Sequence, residues 1–397
     1  MQKISPLQDR KVQEKLLPIW TGSLDDVGIY VHIPFCFKKC PYCDFVSGPL
    51  STELRRRYLL ALKNEISSTP WVGSYVKTIF WGGGTPSDLT PFELSDLSKT
   101  IQESFDLSGL EEATIECNPE TLTEKKLSSF LECGFNRISL GVQSFQDYQL
   151  NQLGRLHTVK DNRRSFNLIM TSGFKKINLD LMFALPQQTL KEWDLDLVEA
   201  LSLDPGHISL YQLTFEPETD FFNRMRRGEI VPPDTILVTE MLEAAMVRMT
   251  SFDYLQYEIS NFARSGFECL HNQRYWTNKP TLGFGVSASS YVEGVRWTNT
   301  RQVSHYTKKD GNSPPLDSVE RLNLPQALGE EMLLRLRTRE GADLNDLKTR
   351  YGQEALNQFT GNIDKFKDKG LLSMQGSRLC LTQSGRMLAD TICMEFL

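Results

Sequence analysis

Short β-like runs alternate with amphipathic stretches along most of the 397-residue chain. This alternation is typical of βα units around a parallel sheet. A first helix is expected near residues 51–68. The pattern predicts an α/β fold, although periodicity alone does not separate a partial barrel from an open doubly wound sheet. The predicted strands are 27–33, Val76–Phe80, Ala113–Glu116, Arg137–Leu140, Ile177–Met182 and His207–Leu213.

Three cysteines, Cys36, Cys40 and Cys43, follow the first strand with the spacing Cys-x3-Cys-x2-Cys. Three thiolates at this spacing fit a cuboidal [4Fe-4S] cluster and leave its fourth iron open to a small molecule. A structural zinc site needs four ligands, and no second pair stands at such spacing later in the chain. A disulfide would leave one thiol over. The spacing favours the cluster, with zinc binding or plain packing as the alternatives.

The residues around the triplet read VHIPFCFKKCPYCDF from Val31 to Phe45, and this stretch resembles the cluster loop of the radical S-adenosylmethionine (SAM) family. The resemblance implies a partial (β/α)6 TIM-type barrel. It also implies that the amine and carboxylate of SAM chelate the open iron, and that an electron from the cluster cleaves the sulfonium to give a 5′-deoxyadenosyl radical. Within the family, the stretch is similar to the coproporphyrinogen III dehydrogenase group, which has a heme chaperone branch.

A glycine run follows the second predicted strand, in Trp81-Gly82-Gly83-Gly84-Thr85-Pro86. Glycines let the backbone approach a ligand closely, and active residues of parallel α/β barrels gather where strands end. As a bare tight turn the run would be unremarkable. Its position is similar to the family segment whose backbone holds the methionyl amine of SAM, which implies this role for Gly83, Gly84 and Thr85.

Polar residues near the ends of the other strands complete the cofactor site that the resemblance implies. A carboxylate there suits a cationic or hydroxylated ligand, a glutamine can donate and accept hydrogen bonds, and an arginine reaches a carboxylate as a planar fork. Each residue taken singly could be an ordinary surface or core residue. The stretch Phe183–Gln187 departs from the common family pattern, which leaves the shape of that loop open. The implied residues are Tyr30, Glu116, Gln143, Arg155 and Asp180.

Two features distinguish the branches of the group. The dehydrogenase, which decarboxylates propionates of coproporphyrinogen III, carries a further cysteine where this chain has Phe45. The hexapeptide from His271 to Trp276, His-Asn-Gln-Arg-Tyr-Trp, matches a signature associated with heme handling. Neutral imidazole is a common axial ligand of heme iron, and Tyr and Trp offer flat apolar surface. The resemblance therefore implies heme binding at His271. Cys269, two residues earlier, is a candidate for an alternative or second heme ligand, or a packing residue.

The last segment reads as a separate unit of three short helices and a hairpin, with strands at 370–374 and 378–382. This pattern is typical of a small winged-helix-like α+β domain, which could cover the barrel mouth or meet a partner. The predicted organisation is an N-terminal extension (1–26), the barrel (27–265), a heme-motif and connecting segment (266–320) and the C-terminal domain (321–397).

Charge and composition restrict the expected location and partners. The net charge of −6 argues against general nucleic-acid binding. The N-terminus lacks a secretory core, no apolar run approaches a bilayer span, and free cysteines suit a reducing compartment, so we expect a cytoplasmic protein. The implied function is a heme chaperone that delivers heme to an acceptor hemoprotein, which could itself be membrane-bound, with a flavodoxin or ferredoxin as electron donor. The alternatives are an oxygen-independent coproporphyrinogen III dehydrogenase and a cluster-carrying scaffold.

Overall fold

A twelve-stranded sheet dominates the computed structural model, which describes residues 22–309 and 315–397. Its strand order is β12-β11-β10-β9-β1-β2-β3-β4-β5-β6-β8-β7, and the seven strands from β9 to β6 run parallel. The parallel core with its crossover helices confirms the predicted partial barrel. The strands are β1 (Val27–Ile33), β2 (Val76–Gly83), β3 (Glu112–Cys117), β4 (Arg137–Gln143), β5 (Lys176–Phe183), β6 (Gly206–Gln212), β7 (Leu255–Gln256), β8 (Asn261–Ala263), β9 (Thr281–Phe284), β10 (Ser289–Val292), β11 (Val295–Asn299) and β12 (Leu316–Arg321).

All six predicted strands exist, and the first has the predicted bounds. Four of the strands are longer than predicted, and in two of them the extension is three residues. β2 runs through Gly83, and β4 runs through Gln143. Parts of both predicted loops therefore belong to strands, because the neighbouring parallel strands supply hydrogen-bond partners even where glycine has little β propensity.

Threonines at the ends of the loops begin several of the barrel helices. Thr90, Thr158 and Thr189 each form a capping box, in which the hydroxyl accepts from the third helical amide and an acidic side chain accepts from the cap amide. The helices here are α1 (Thr52–Ser68), α2 (Pro91–Ser104), α3 (Glu124–Glu132), α4 (Asp147–Gln152), α5 (Val159–Ser172), α6 (Leu190–Leu203), α7 (Asp220–Arg226), α8 (Thr235–Ser251), α9 (Leu270–Trp276) and α10 (Val303–Tyr306). Throughout residues 22–309 and 315–397, every helix is too short or too polar to cross a bilayer.

The C-terminal domain has its own hydrophobic core, which includes Leu328, Phe366 and Leu379. Its strands β13 (Ala342–Asp343), β14 (Leu372–Gln375) and β15 (Arg378–Leu381) form a separate sheet in the order β13-β15-β14. The predicted hairpin is therefore present, but more than three helices surround it. These are α11 (Leu324–Leu336), α12 (Leu344–Tyr351), α13 (Gln353–Asn357), α14 (Thr360–Asp368), α15 (Gln383–Met387) and α16 (Ala389–Met394).

The C-terminal domain bridges the two edges of the open barrel. Glu330 on α11 forms an ion pair with Arg296 on β11, and Arg386 on α15 donates to Gln256 on β7. α11 also packs on α9. Among the described residues that line the barrel cavity none lies beyond residue 320, so the cavity lining gives no support to the idea that this domain covers the mouth. The predicted 1–26 extension lies outside the described residues except for 22–26.

A buried carboxylate joins α1 to the segment after β9 and gives a stability prediction. Glu65 accepts hydrogen bonds from Gly285 N (2.8 Å), Asn299 Nδ2 (2.7 Å) and the Tyr306 hydroxyl. Burial raises the pKa of Glu65 to about 7. Because the folded-state pKa exceeds the unfolded one, the protonated carboxyl favours folding, and this contribution is lost as pH rises through about 7.

Glu65→Gln, which stays neutral, should therefore remove part of the decline in stability between pH 5 and pH 8. The expected difference from the wild type is about 2–3 kcal/mol in the pH-dependent part of the free energy of unfolding. Urea unfolding at both pH values, followed by tryptophan fluorescence, measures it. Equal pH dependence in the two proteins would contradict the prediction.

Candidate functional site

A cavity of about 1040 Å³ opens at the carboxyl ends of the parallel strands and extends into the barrel. Cys36, Cys40 and Cys43 all line it, and all three are free, partly exposed thiols. Their loop is fixed by backbone hydrogen bonds from Cys36 N to Gly48 O (3.1 Å) and from Cys43 N to Cys40 O (3.1 Å). The structure thus brings the three predicted metal ligands to one cavity wall.

The donor set on this wall consists of three thiols, one fewer than the four ligands of a structural zinc site. Within residues 22–309 and 315–397, no three His, Cys, Asp or Glu side chains stand close enough together to hold one metal ion. A cubane presents its irons at separate corners, so its thiolates stand farther apart than the ligands of one zinc ion. Burial raises the pKa of the Cys36 and Cys43 thiols, so metal binding must displace their protons.

The glycine run at Gly83 and Gly84 packs against β1 and the cysteine loop, where a side chain has no room. A Cβ on Gly83, whose φ is +111°, would stand 2.5 Å from His32 Cε1. A Cβ on Gly84 would stand 2.7 Å from Phe35 O and 2.9 Å from Ile33 O. Real Cβ atoms do not approach this closely, so the run is required for the close contact between β2 and the cysteine loop.

Two predicted acids lie inside the cavity. Glu116 Oε2 accepts from Gly83 N (3.0 Å), and burial together with the nearby Asp180 raises the pKa of Glu116 to about 8. Asp180 accepts from Ser139 Oγ (2.9 Å) and Asn178 Nδ2 (2.7 Å), and burial raises its pKa too. The raised pKa values favour the neutral form of both carboxyls. A ligand ammonium or hydroxyl group that donates to either of them would favour its charged form.

Arg155 reaches from the loop after α4 to the cysteines. Its Nη1 donates to Cys40 Sγ (3.7 Å), and its Nη2 donates to Asn118 Oδ1 (2.6 Å) and Gly141 O (3.1 Å). Its Nε is buried without a partner among the described residues. A guanidinium with a spare donor is suited to bind a carboxylate group.

Gln143 and Tyr30 occupy different positions relative to the cavity. Gln143 lines it at a break in the register between β4 and β5, with a φ of +67°. A non-glycine residue in this left-handed region stores strain, which is common at binding sites. Tyr30 is not among the lining residues; its hydroxyl bonds His32 Nδ1 (3.1 Å) and its ring stacks on Phe80, which does line the cavity.

The structure separates His271 from the cysteines. On α9, His271 contacts Thr78 near the start of β2, and its amide donates to Glu112 Oε1 at the start of β3 (3.0 Å). α9 therefore closes the amino end of the barrel, whereas the cysteines lie at the carboxyl end. Thr78 and Gly83 lie five residues apart on β2, which at about 3.3 Å per residue corresponds to about 16 Å along the strand between the level of His271 and the glycine run.

Both ring nitrogens of His271 are engaged. Nδ1 bonds Thr78 Oγ1 (2.8 Å), Nε2 bonds Tyr275 Oη (3.0 Å), and the ring stacks on Phe80. Burial and the nearby Arg274 lower the pKa of His271 to about 3, so the imidazole is neutral. The neutral form can ligate iron, but a nitrogen must first be released by Tyr275 or Thr78.

Cys269, predicted as a heme ligand or a packing residue, lines the deep end of the cavity, and its thiol donates to Glu112 Oε1 (3.3 Å). Several other lining residues were missed by the sequence predictions. Asn118 stands between Arg155 and Thr85 at the mouth. The sequence signal that could have identified these lining residues is the presence of polar residues within otherwise apolar strands and directly after them. Further missed lining residues at the deep end include Arg137, Asn178 and His207.

Comparison with known proteins gives matches along nearly the whole chain. Residues 30–197 match the radical SAM superfamily, and residues 322–388 match the HemN C-terminal domain. The chain is 38% identical over 375 residues to the heme chaperone HemW of Bacillus subtilis, covering 93% of this chain and 98% of that protein. It is 39% identical over 286 residues to the heme chaperone HemW of Escherichia coli K12, covering 70% and 75%.

A solved structure has the same fold across both domains. The coproporphyrinogen III oxidase HemN from Escherichia coli, a radical SAM enzyme, superposes with a TM-score of 0.82 at 25% sequence identity. The superposition covers 94% of this chain and 90% of that chain. The likeness includes the barrel and the C-terminal domain.

Proposed function

The chain belongs to the radical SAM superfamily and, within it, to the heme chaperone HemW family, and from this premise we propose that it binds heme and transfers it to an acceptor hemoprotein. The proposal includes a [4Fe-4S] cluster on Cys36, Cys40 and Cys43. The observation that carries it is the shared cavity in which these thiols meet the predicted cofactor residues, in a chain similar to HemW over nearly its whole length.

The residues around the cavity have separate roles in this proposal. A bound cluster would supply an open iron and an electron for SAM. The backbone of Gly83, Gly84 and Thr85, which line the cavity, holds the methionyl amine, and the guanidinium of Arg155 binds the methionyl carboxylate. Glu116 and Asp180 bind hydroxyl groups of SAM, and Gln143 bonds its ribose or adenine. The electron comes from a flavodoxin or ferredoxin, in the reducing environment of the cytoplasm.

His271 is the proposed axial ligand, and it needs a local opening of α9. In the structure, which is the closed state, the two ring nitrogens of His271 bond Thr78 and Tyr275. On the same helix, Arg274 Nη1 donates to Asp26 Oδ1 (2.6 Å). A ligand that requires a minor conformation binds with an affinity reduced by the population of that conformation. The proposal therefore predicts that contacts of α9 regulate heme affinity.

An anaerobic hemin titration of the reconstituted protein, followed by Soret absorbance, tests the heme site. We expect saturable binding near one equivalent, weakened in His271→Ala. Tyr275→Phe should strengthen binding a few-fold, because it removes a hydrogen bond of about 1 kcal/mol from the closed state. His305→Ala, at an exposed histidine on α10, is the matched control and should bind like the wild type.

The outcomes separate the candidate functions. No saturable hemin binding by the wild type would contradict the chaperone proposal, whereas unchanged binding in His271→Ala would move the ligand elsewhere. The likeness to HemN favours coproporphyrinogen III decarboxylation as the second candidate, and an assay with that substrate tests it directly. Phe45, 66% exposed at the cavity mouth, stands where the dehydrogenase pattern has a cysteine and speaks against this second candidate.

A further inference from the structure

Three polar side chains connect two of the proposed cluster ligands. Thr85 Oγ1 lies 3.3 Å from Cys36 Sγ, and Asn118 Nδ2 lies 3.1 Å from Thr85 Oγ1. On the other side of the amide, Arg155 Nη2 lies 2.6 Å from Asn118 Oδ1, and Arg155 Nη1 lies 3.7 Å from Cys40 Sγ. Asn118 is therefore the central member of a continuous chain of hydrogen bonds between two sulfurs.

The donor and acceptor chemistry of the side chains fixes the direction of every hydrogen bond between the two sulfurs. A guanidinium has only donors, so Asn118 must turn its carbonyl oxygen to Arg155 and its NH2 to Thr85. The hydroxyl of Thr85 then accepts from Asn118. Of the two partners that the structure gives this hydroxyl among the described residues, only the sulfur of Cys36 can take its hydrogen.

We infer that Asn118 is a positioning residue that directs hydrogen bonds onto Cys36 and Cys40 and thereby raises the reduction potential of the cluster they hold. Hydrogen bonds to the sulfurs are a known determinant of cluster potential. A partial positive charge beside a thiolate stabilises the reduced, more negative cluster over the oxidised one. The inference rests on the proposed cluster and adds a residue that the sequence patterns did not assign.

Near-isosteric variants of Thr85 separate this role from a structural one. Thr85→Val removes the donor to Cys36 without a change of charge, and Thr85→Ser retains it. We expect Thr85→Val to shift the midpoint potential of the reconstituted full-length protein to lower values, with Thr85→Ser close to the wild type. Iron and sulfide content, measured in parallel, shows that the same cluster is present in each protein.

Asn118→Asp tests the central member. Its carboxylate still accepts from Arg155 but now also accepts from Thr85, so the hydroxyl turns away from Cys36 and the potential should fall. The added charge lowers the potential as well, and Thr123→Asp is the control for it. Thr123 lines the same cavity and caps α3, where aspartate is an equally good cap. We expect a larger shift in Asn118→Asp than in Thr123→Asp.

A redox titration followed by electron paramagnetic resonance, without SAM or heme, decides the outcome. In the double variant Thr85→Val/Asn118→Asp, the two shifts should be less than additive, since both remove the same hydrogen bond. Fully additive shifts, or a wild-type potential in Thr85→Val, would overturn the inference while leaving the proposed function intact. If Thr85→Val holds no cluster, the comparison of Asn118→Asp with Thr123→Asp remains, and equal shifts overturn the inference. A wild-type protein that holds no cluster would overturn both proposals.

Discussion

Cys40→Ser is expected to abolish the reconstituted iron–sulfur cluster while leaving the fold intact. The proposed cubane would have three protein ligands at this loop, and a cubane held by only two thiolates is poorly retained. Cys40 is partly exposed at the cavity wall and takes no part in the hydrophobic cores, so its loss leaves the packing of the barrel unchanged. Iron and sulfide analysis and the visible absorption spectrum after anaerobic reconstitution measure the effect.

Cys133→Ser is the matched control for this experiment. Cys133 is also a partly exposed free thiol, but it ends α3 and does not line the cavity. It should retain the iron and sulfide content of the wild type. Full iron and sulfide content in Cys40→Ser, with a native far-ultraviolet circular dichroism spectrum, would contradict the assignment of Cys40 as a ligand.

Gly84→Ala should have the second large effect, because the new methyl group has nowhere to go. Its nearest neighbours are the carbonyl oxygens of Phe35 and Ile33, at 2.7 and 2.9 Å. Gly84 N also donates to Ile33 O (2.8 Å), so the glycine and the end of β1 are held together. Backbone atoms cannot rotate away as a side chain can, so the cysteine loop must move.

We expect Gly84→Ala to lower the iron content and to weaken SAM binding by roughly tenfold or more, since overpacking typically costs 1–3 kcal/mol and here displaces the binding surface. Isothermal titration with SAM measures the affinity. Gly48→Ala is the control on the same loop, because a Cβ at Gly48 meets no atom within 4 Å. Equal affinities in wild type and Gly84→Ala would show that the run is not part of the binding surface.

Features that depend on residues close together in the sequence could be predicted from the sequence alone. The strand from Val27 to Ile33 has the predicted bounds because both of its faces are buried, so nearly every residue is apolar and the pattern is local. The cysteine spacing is also local, and so is the glycine run, although β2 continues into it. The bounds of the four predicted domains and the roles of the site residues stay predictions.

The sequence by itself determined the α/β architecture, the family and the cavity wall on which the cysteines meet, because short spacings and apolar periodicity carry that information. Only the tertiary structure decided which end of the barrel holds His271 and which polar side chain connects Thr85 to Arg155. Asn118 and Arg155 are 37 residues apart, and His271 meets Thr78 across 193 residues. Contacts across such distances depend on strand order and barrel closure, which leave no periodic trace in the chain.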